Sequence, residues 1–384
     1  MTPIAPSHNV SDEPFRVHFL LPSLAGGGAE RVFLTLLRHL DRRRFSPELV
    51  LLDARPADYA ANVPEDVPVT CLNRPRAREA PLALLTHLRR TRPAAAFTTM
   101  GHMNLLLGAL RPFVPRATKL VGRETNMMSA AIAAGADGNV PGWLPPAYRL
   151  LLPGLDHIVC QCEPMREDLV KAFGYPGRKT TVIPNPVDQL AVLAQASVEQ
   201  APFLTETGLL RLVAAGRLDR VKGFDLLIAA IGQCADLPVV LDILGGGGEH
   251  EALQSQIRAS GLDNRVFLRG FCANPYPWLA HADALVLSSR FEAFPNAVLE
   301  ALALGTPVVA VPCPGGIREI LDGLPGCVLA DAVSSEALAA ALRRWATQGP
   351  VRVPPADIAH FGVDRIVRQY EAVILNVIAP ATPT

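Results

Sequence analysis

The chain has 384 residues, 49% of them apolar, with 36 basic and 36 acidic side chains and a formal charge of zero. That length exceeds what one hydrophobic core ordinarily serves, so two domains are expected, and the balanced charge speaks against nucleic acid as the partner. Seven cysteines without a Cys-x-x-Cys pair favour a reducing compartment, and no run reaches the roughly twenty apolar residues of a spanning helix or shows a secretory signal, so a cytoplasmic location is expected.

Residues 1–13 read as a frayed tail. Strand-like apolar runs then follow at 16–21, 48–52, 95–99, 119–122 and 156–160, with helical periodicity between them at 29–40 and 81–92. After Asn185-Pro186-Val187-Asp188 a polar, alanine-rich stretch runs to about residue 207, and the rhythm restarts. Strands at 210–215, 238–244, 265–269, 284–288 and 307–311 alternate with helices at 224–234, 249–260 and 276–281. Strand-helix alternation of this kind is the signature of a parallel sheet covered on both faces. The expected fold is therefore α/β, two Rossmann-like doubly wound parallel-sheet domains facing a cleft, spanning 14–200 and 201–363. A last helical run within 364–384 either crosses back to the first domain or stays with the second.

Gly26, Gly27 and Gly28 stand between the first strand and a helix. Three glycines let backbone approach an oxyanion at a helix N-terminus, and they equally suit a tight turn. The dinucleotide spacing G-x-G-x-x-G is absent there and in the second run, 245–248, which reads mainly as a turn. At the carboxyl end of the strand at 210–215, Gly216-Arg217-Leu218-Asp219-Arg220-Val221-Lys222-Gly223 places Arg217 and Lys222 where ligands of open α/β sheets bind. A planar guanidinium fork and a mobile ammonium suit a diphosphate; two solvated loop cations are the other reading. No Asp-x-Asp sequence is present, so a metal clamp on the diphosphate is not indicated; no other cofactor is expected. Two fixed cations and helix N-termini can stabilise a diphosphate leaving group in a metal's place.

The richest stretch is 289–300, SRFEAFPNAVLE, which sets Glu292 and Glu300 eight residues apart across a loop and a helix whose first turn contains Pro295. One glutamate is expected at the mouth of a crevice and the other about two turns deeper. A capped helix with a solvated acid at each end is the plainer account of an isolated pair. Downstream, Pro314-Gly315-Gly316-Ile317-Arg318-Glu319 opens a short helix and either aims backbone donors at the same crevice or makes a plain turn.

Together GRLDRVKG, SRFEAFPNAVLEALALGTPVVA, PGGIREI and VIPNPVD resemble the retaining nucleotide-sugar glycosyltransferases of family four, most specifically over 289–319. The resemblance implies a B-type glycosyltransferase fold and metal-independent transfer with retention of anomeric configuration. The donor would be a nucleotide diphosphate sugar, expected to be a UDP-sugar. The acceptor would be a saccharide or lipid-linked saccharide of cell-surface glycan synthesis. By resemblance Glu300 would hold the ribose hydroxyls, Arg217 and Lys222 the diphosphate, and Glu292 would lie beside the transferred sugar. Backbone N–H groups around Phe294, Pro295, Asn296, Ala297 and Val298 would contact sugar or phosphate oxygens, and Gly26, Gly27 and Gly28 would approach the diphosphate from the other domain. His102 lies where the family presents a histidine near the donor sugar or acceptor, or is an ordinary loop histidine. Arg123 and Asn126 would face the acceptor, or cap a helix with surface charge. Two positions depart from the family pattern, Ala293 and Pro186 standing where glycine is usual. A sugar-nucleotide 2-epimerase of the same fold and a non-catalytic nucleotide-sugar-binding subunit are the alternatives.

Arg38, Arg42, Arg43 and Arg44 crowd one helix end, and Arg111, Arg116 and Lys119 flank Pro112-Phe113-Val114-Pro115. Basic side chains beside apolar ones fit an anionic membrane surface, here the inner face of the cytoplasmic membrane as a peripheral partner, and solvated helix ends explain them equally. The segment 143–152 adds aromatic and aliphatic bulk that suits either such a surface or the core.

Overall fold

The computed structural model describes residues 13–25, 27–55, 59–133, 141–198 and 208–379. Gly26, nearly all of the tail assigned to 1–13, and 199–207 of the polar stretch therefore lie outside the described residues. The first run of elements is β1 (Phe15–Leu21), α1 (Gly28–His39), β2 (Phe45–Leu51), β3 (Val69–Cys71), α2 (Pro81–Thr91), β4 (Ala95–Thr99), α3 (Gly101–Leu110) and β5 (Lys119–Arg123). It continues with α4 (Met128–Ala133), α5 (Leu144–Leu151), β6 (His157–Cys160), α6 (Glu163–Phe173), β7 (Thr180–Val182) and α7 (Gln189–Ala196). The second run is β8 (Leu210–Ala215), α8 (Phe224–Gln233), β9 (Val239–Leu244), α9 (His250–Ala259), β10 (Val266–Gly270), α10 (Tyr276–His281) and β11 (Ala284–Leu287). It ends with α11 (Asn296–Ala303), β12 (Val308–Ala310), α12 (Ile317–Leu321), β13 (Val328–Leu329), α13 (Ser335–Gln348) and α14 (Val363–Ile378).

Two parallel sheets result, in strand order β3-β2-β1-β4-β5-β6-β7 and β10-β9-β8-β11-β12-β13. The two Rossmann-like domains expected from the alternation are present. In the central strand β11 (ALVL, buried throughout) the apolar run is continuous rather than alternating, because helices cover both faces of a parallel sheet. In each sheet the order reverses beside the first strand, between β1 and β4 and between β8 and β11. Loops leaving the carboxyl ends of those neighbours diverge to opposite faces and leave a crevice, the usual ligand position of such sheets. Three short strands, β3, β7 and β13, were not legible as apolar runs; two or three residues are too few to show periodicity. Helix α7 interrupts the stretch read as polar, and its start is fixed by the Asp188 side chain, which accepts the Ala191 N–H at 3.0 Å.

By contact density the chain divides into one compact unit of Met1–Arg123, Leu151–Ile158 and the part from Glu371, and another of Glu124–Leu150 and Val159–Tyr370. The core of the first contains Phe19, Phe33 and Phe97, with ring centroids 5.0–5.6 Å apart. The Glu371 carboxylate accepts the backbone N–H of Asp41 at 2.8 Å, so this part of α14 packs in the first unit. In the second unit Trp345 on α13 is fully buried. Among the described residues no helix is long and apolar enough to cross a membrane.

One close approach in the first unit has a measurable cost. A Cβ added to Gly108 on α3 would lie 2.2 Å from the carbonyl oxygen of Leu151, and one on Gly154 would lie 2.4 Å from that of Gly108. Both obstacles are backbone and cannot swing away. Gly108→Ala is therefore expected to destabilise by about 1–3 kcal/mol, despite alanine's better helix propensity. Denaturant unfolding of the variant beside the wild type checks this.

Candidate active site

In the second unit the site is built on the two strands that flank the order reversal. β8 ends at Ala215, and the loop that follows from Gly216 is held by its own backbone: Leu218 N–H donates to Gly246 O at 2.9 Å and Glu249 N–H to Leu218 O at 3.0 Å. A Cβ on Gly245 would lie 1.8 Å from Gly216 O, and one on Gly247 would lie 2.3 Å from Leu218 O. The second glycine run thus lets the loop after β9 lie against the loop after β8. Asp219 accepts the Lys222 N–H at 3.2 Å and closes a single tight turn. Gly223 follows at φ +63°, where a Cβ would meet Ser288 O at 2.1 Å; only glycine fits both the backbone angle and the space.

Lys222 and Glu292 meet here. The Lys222 Nζ donates to Glu292 Oε1 at 2.5 Å, and Ser289 Oγ donates to the same oxygen at 2.9 Å. The side chains are 25% and 14% exposed, so the pair lies at the edge of the interior. Burial alone would lower the ammonium's pKa, but attraction to Glu292 and the hydrogen bond to it outweigh that, and the pKa is raised above its ordinary 10.5. Lys222 is accordingly a fixed positive charge at neutral pH. An ammonium has three N–H donors; one is directed at Glu292, leaving two for a ligand. Arg217, by contrast, is 80% exposed and only 3.5 Å from Asp219 Oδ2, a loose contact at the surface.

The two loops are also tied by residues the sequence reading passed over. Ser288 Oγ donates to Lys222 O at 2.9 Å, and Arg290 N–H to Val221 O at 2.7 Å. The Arg290 guanidinium forks onto Asp225 at 2.8 and 2.6 Å, a bidentate pair with fixed geometry.

Beyond Glu292 the chain is clamped from two sides. From 312–316, Pro314 O accepts the Glu292 N–H at 3.1 Å, and Gly316 N–H donates to Ala293 O at 2.9 Å. A Cβ on Gly315 would fall 1.5 Å from Glu292 O, and one on Gly316 would fall 2.4 Å from Phe294 Cδ2. The glycine pair therefore serves close packing, and the Gly316 N–H is engaged by protein rather than offered to a ligand. From the other side, Asn185 of the VIPNPVD stretch donates to Phe294 O at 3.0 Å and to Asn296 Oδ1 at 2.7 Å, while Cys162 Sγ–H donates to Ala293 O at 3.5 Å. Phe294 rests edge-on against Phe361. Buried Cys313 stays a thiol, its pKa pushed up to about 12 by burial and by Glu292's charge.

Helix α11 begins at Asn296 after Pro295 with no side-chain cap, so its positive dipole end is not neutralised by its own sequence. Ala297 follows in its first turn, and Val298 faces the core. Glu300 is one turn beyond Asn296 on the same side of the helix and is buried. Lys222, Glu292, Phe294, Asn296 and Glu300 are thus positioned by one connected set of loops, with Arg217 at its margin.

The candidates in the first sheet sit at its carboxyl edge. Gly27 and Gly28 begin α1 after β1, and a Cβ on Gly27 would lie 2.4 Å from Glu30 Oε2. His102 is exposed in the first turn of α3. Met100 before it has φ +76°, a rare angle for a side-chain-bearing residue and a mark of stored strain at functional loops. No sequence signal announces that angle. Arg123 is buried, donating to Thr99 Oγ1 at 3.2 Å. Asn126 is exposed in the loop after β5. Of the basic clusters, Arg42 is directed at Leu37 O, Leu40 O and Asp66, and Arg111 at the carbonyls of Val114, Pro115 and Thr118 and at Asp156. These two arginines hold carbonyls rather than face solvent alone. In the segment 143–152, Tyr148 is buried while Trp143 and Leu150 are exposed.

Comparison with known proteins follows the same division. The model of the Glycosyltransferase Family 4 domain matches residues 26–189, and that of Glycosyl transferases group 1 matches residues 210–348, together most of the chain. An uncharacterized glycosyltransferase of Methanocaldococcus jannaschii is 32% identical over 46% of this chain, and the aligned part spans only 44% of that relative's length. The N-acetylgalactosamine-N,N'-diacetylbacillosaminyl-diphospho-undecaprenol 4-alpha-N-acetylgalactosaminyltransferase of Campylobacter jejuni is 27% identical over 78% of this chain and 81% of its own. Anabaena HepE, solved in complex with UDP and glucose, superposes with a TM-score of 0.75 at 21% identity, covering 94% of this chain and 99% of that one. At that identity the likeness shows the fold alone.

The raised pKa of Lys222 gives the pair a pH signature. A group whose folded pKa exceeds its unfolded one contributes stability that is complete below the unfolded value and is lost as pH rises through the folded value. Removing the ammonium leaves the Glu292 carboxylate uncompensated. Thermal melts should therefore show wild type more stable than Lys222→Met at about pH 8, with the difference shrinking by about pH 11; a pH-independent difference would show that the ion pair does not stabilise the fold.

Proposed function

The chain belongs to the glycosyltransferases of family four, with the B-type fold, and from that premise we propose that it transfers a sugar from a nucleotide diphosphate sugar to a saccharide acceptor with retention at the anomeric carbon. The observation that carries this reading is the charged Lys222 held on Glu292 at the carboxyl edge of the second sheet, where the strand order reverses. A diphosphate arriving there meets the two remaining N–H donors of Lys222, the exposed guanidinium of Arg217 and the uncapped start of α11. Glu300, deeper on that helix, is assigned the ribose hydroxyls, and Glu292 the transferred sugar.

In the proposed reaction the bond from the anomeric carbon to the diphosphate oxygen breaks while the acceptor oxygen bonds on the same face. The acceptor's proton passes to the departing diphosphate. Charge builds on that diphosphate, and Lys222, already ionised and fixed, stabilises it without reorganising. Such a set of cations and helix dipole supports a reaction without metal or other cofactor. Asn185, by holding Phe294 O and Asn296, is a positioning residue for the loop that carries the helix start.

UDP is the proposed nucleotide, a choice supported by the UDP complex of the Anabaena neighbour. A lipid-linked saccharide is the proposed acceptor, supported by the diphospho-undecaprenol substrate in the Campylobacter relative's name and by a Rhizobium meliloti lipopolysaccharide core glycosyltransferase among the similar proteins. A cytoplasmic enzyme working at the inner membrane face fits such an acceptor, and the exposed Trp143 and Leu150 supply apolar contact of the kind an interface takes. His102 and Asn126, exposed at the carboxyl edge of the first sheet, are assigned to acceptor or donor-sugar contact.

Calorimetric titration with UDP-, GDP-, ADP- and dTDP-sugars should show binding of the UDP class, lost in Glu300→Ala. Lys222→Ala should reduce turnover about a hundredfold, equivalent to about 3 kcal/mol, with the circular dichroism spectrum unchanged; undiminished turnover would remove Lys222 from the diphosphate. Nucleotide release that needs no acceptor would indicate an epimerase, and binding without any turnover a non-catalytic subunit.

A further inference from the structure

A second cluster of chemistry-bearing side chains lies in the first unit and takes no part in the proposed transfer. Parallel pairing of β1 with β2 sets His18 directly beside Glu48, and α2 lowers His87 onto the same face of the sheet. His18 Nε2 is 3.1 Å from Glu48 Oε2, and His87 Nε2 is 3.5 Å from Glu48 Oε1. One ligand atom from each of the three residues lies within 4.8 Å of the others. The histidine side chains are 0% and 3% exposed, yet none of their four ring nitrogens makes a hydrogen bond. Their contacts with the carboxylate are close in distance but lie off the N–H direction. Buried polar atoms nearly always find a partner, so four unpartnered nitrogens around one carboxylate mark a missing ligand. Thr70 Oγ1 donates to Glu48 Oε1 at 2.7 Å, fixing the carboxylate as such hydrogen bonds fix metal-ligating groups.

We propose that His18, Glu48 and His87 form a binding site for a divalent transition-metal ion, zinc by donor chemistry, with the two Nε2 atoms and a Glu48 oxygen as ligands. Bonds of about 2.0–2.1 Å in a tetrahedral site place ligand atoms roughly 3.3 Å apart; here one ligand atom from each residue lies within 4.8 Å of the others, with each imidazole 3.1 or 3.5 Å from a different oxygen of Glu48, so the three side chains draw together by small side-chain rotations around an ion. Two imidazoles and one carboxylate favour zinc, cobalt or nickel over magnesium or calcium, which prefer all-oxygen sites. The ion would pin α2 to β1 and β2. It would be structural, and no step of sugar transfer would run through it.

The test is titration of the metal-stripped full-length protein with cobalt(II), followed by visible absorption, with zinc added in competition. One equivalent of cobalt with the intense bands of a four-coordinate ion, displaced by zinc, is the expected result. His87→Gln should weaken it about a hundredfold, and His250→Gln, at an exposed histidine, should leave it unchanged. Absence of stoichiometric binding in the wild type, or equal binding in His87→Gln, overturns the proposal. Should His87→Gln fail to fold, X-ray absorption of the zinc-loaded wild type decides: two imidazoles around the metal support the assignment, and one or none refutes it.

Discussion

Reversal of strand order between β8 and β11 is the constraint from which the candidate site follows. Two parallel neighbours whose connections leave toward opposite faces open a crevice at their carboxyl ends. The loop after β8 brings Lys222 to that crevice, and the loop after β11 brings Glu292. Neither loop could take its path with ordinary side chains at Gly223, Gly245, Gly247, Gly315 and Gly316, since a Cβ at each would fall within 2.4 Å of backbone or ring atoms. Glycines here are close-packing residues first, whatever ligand the loops then serve.

The ion pair in that crevice is a balance of opposed effects. Removing an ammonium from water favours its neutral form, and a carboxylate in hydrogen-bond contact favours its charged form; here the second prevails. The result is a cation whose charge does not depend on a ligand being present and whose position is shared with Ser289 through one carboxylate oxygen. Preorganisation of this kind avoids reorienting dipoles when charge develops, which is where electrostatic catalysis gains most. Arg217, exposed at the surface, is suited instead to capturing an anion.

The two half-buried carboxylates, Glu292 and Glu48, differ in how their partners are aligned. Glu292 is satisfied by a cation and a hydroxyl, so its site is complete as a protein structure and open to substrate. Glu48 has a hydroxyl and two imidazoles whose nitrogens are not aligned with it, so its site is incomplete. The same residue type thus carries different implications, decided by the direction of the neighbouring donors rather than by distance alone.

The sequence by itself determined the α/β class, the two parallel sheets and the stretch 289–300, because continuous apolar runs, helical periodicity and a proline at a helix start are local properties. It also nominated Lys222 and Glu292 separately. Only the folded chain joins them, since they stand 70 positions apart in sequence. It likewise revealed that Asn185 holds Phe294 and Asn296, that Arg290 locks onto Asp225, that Arg123 is interior, and that Gly316 gives its N–H to Ala293. His18, Glu48 and His87 went unremarked because each, alone, is an unexceptional residue in an apolar run or helix; strand register and helix packing make them neighbours. Periodicity is written along the chain, whereas hydrogen-bond partners are set by which strand lies beside which, and that is decided only when the sheets assemble.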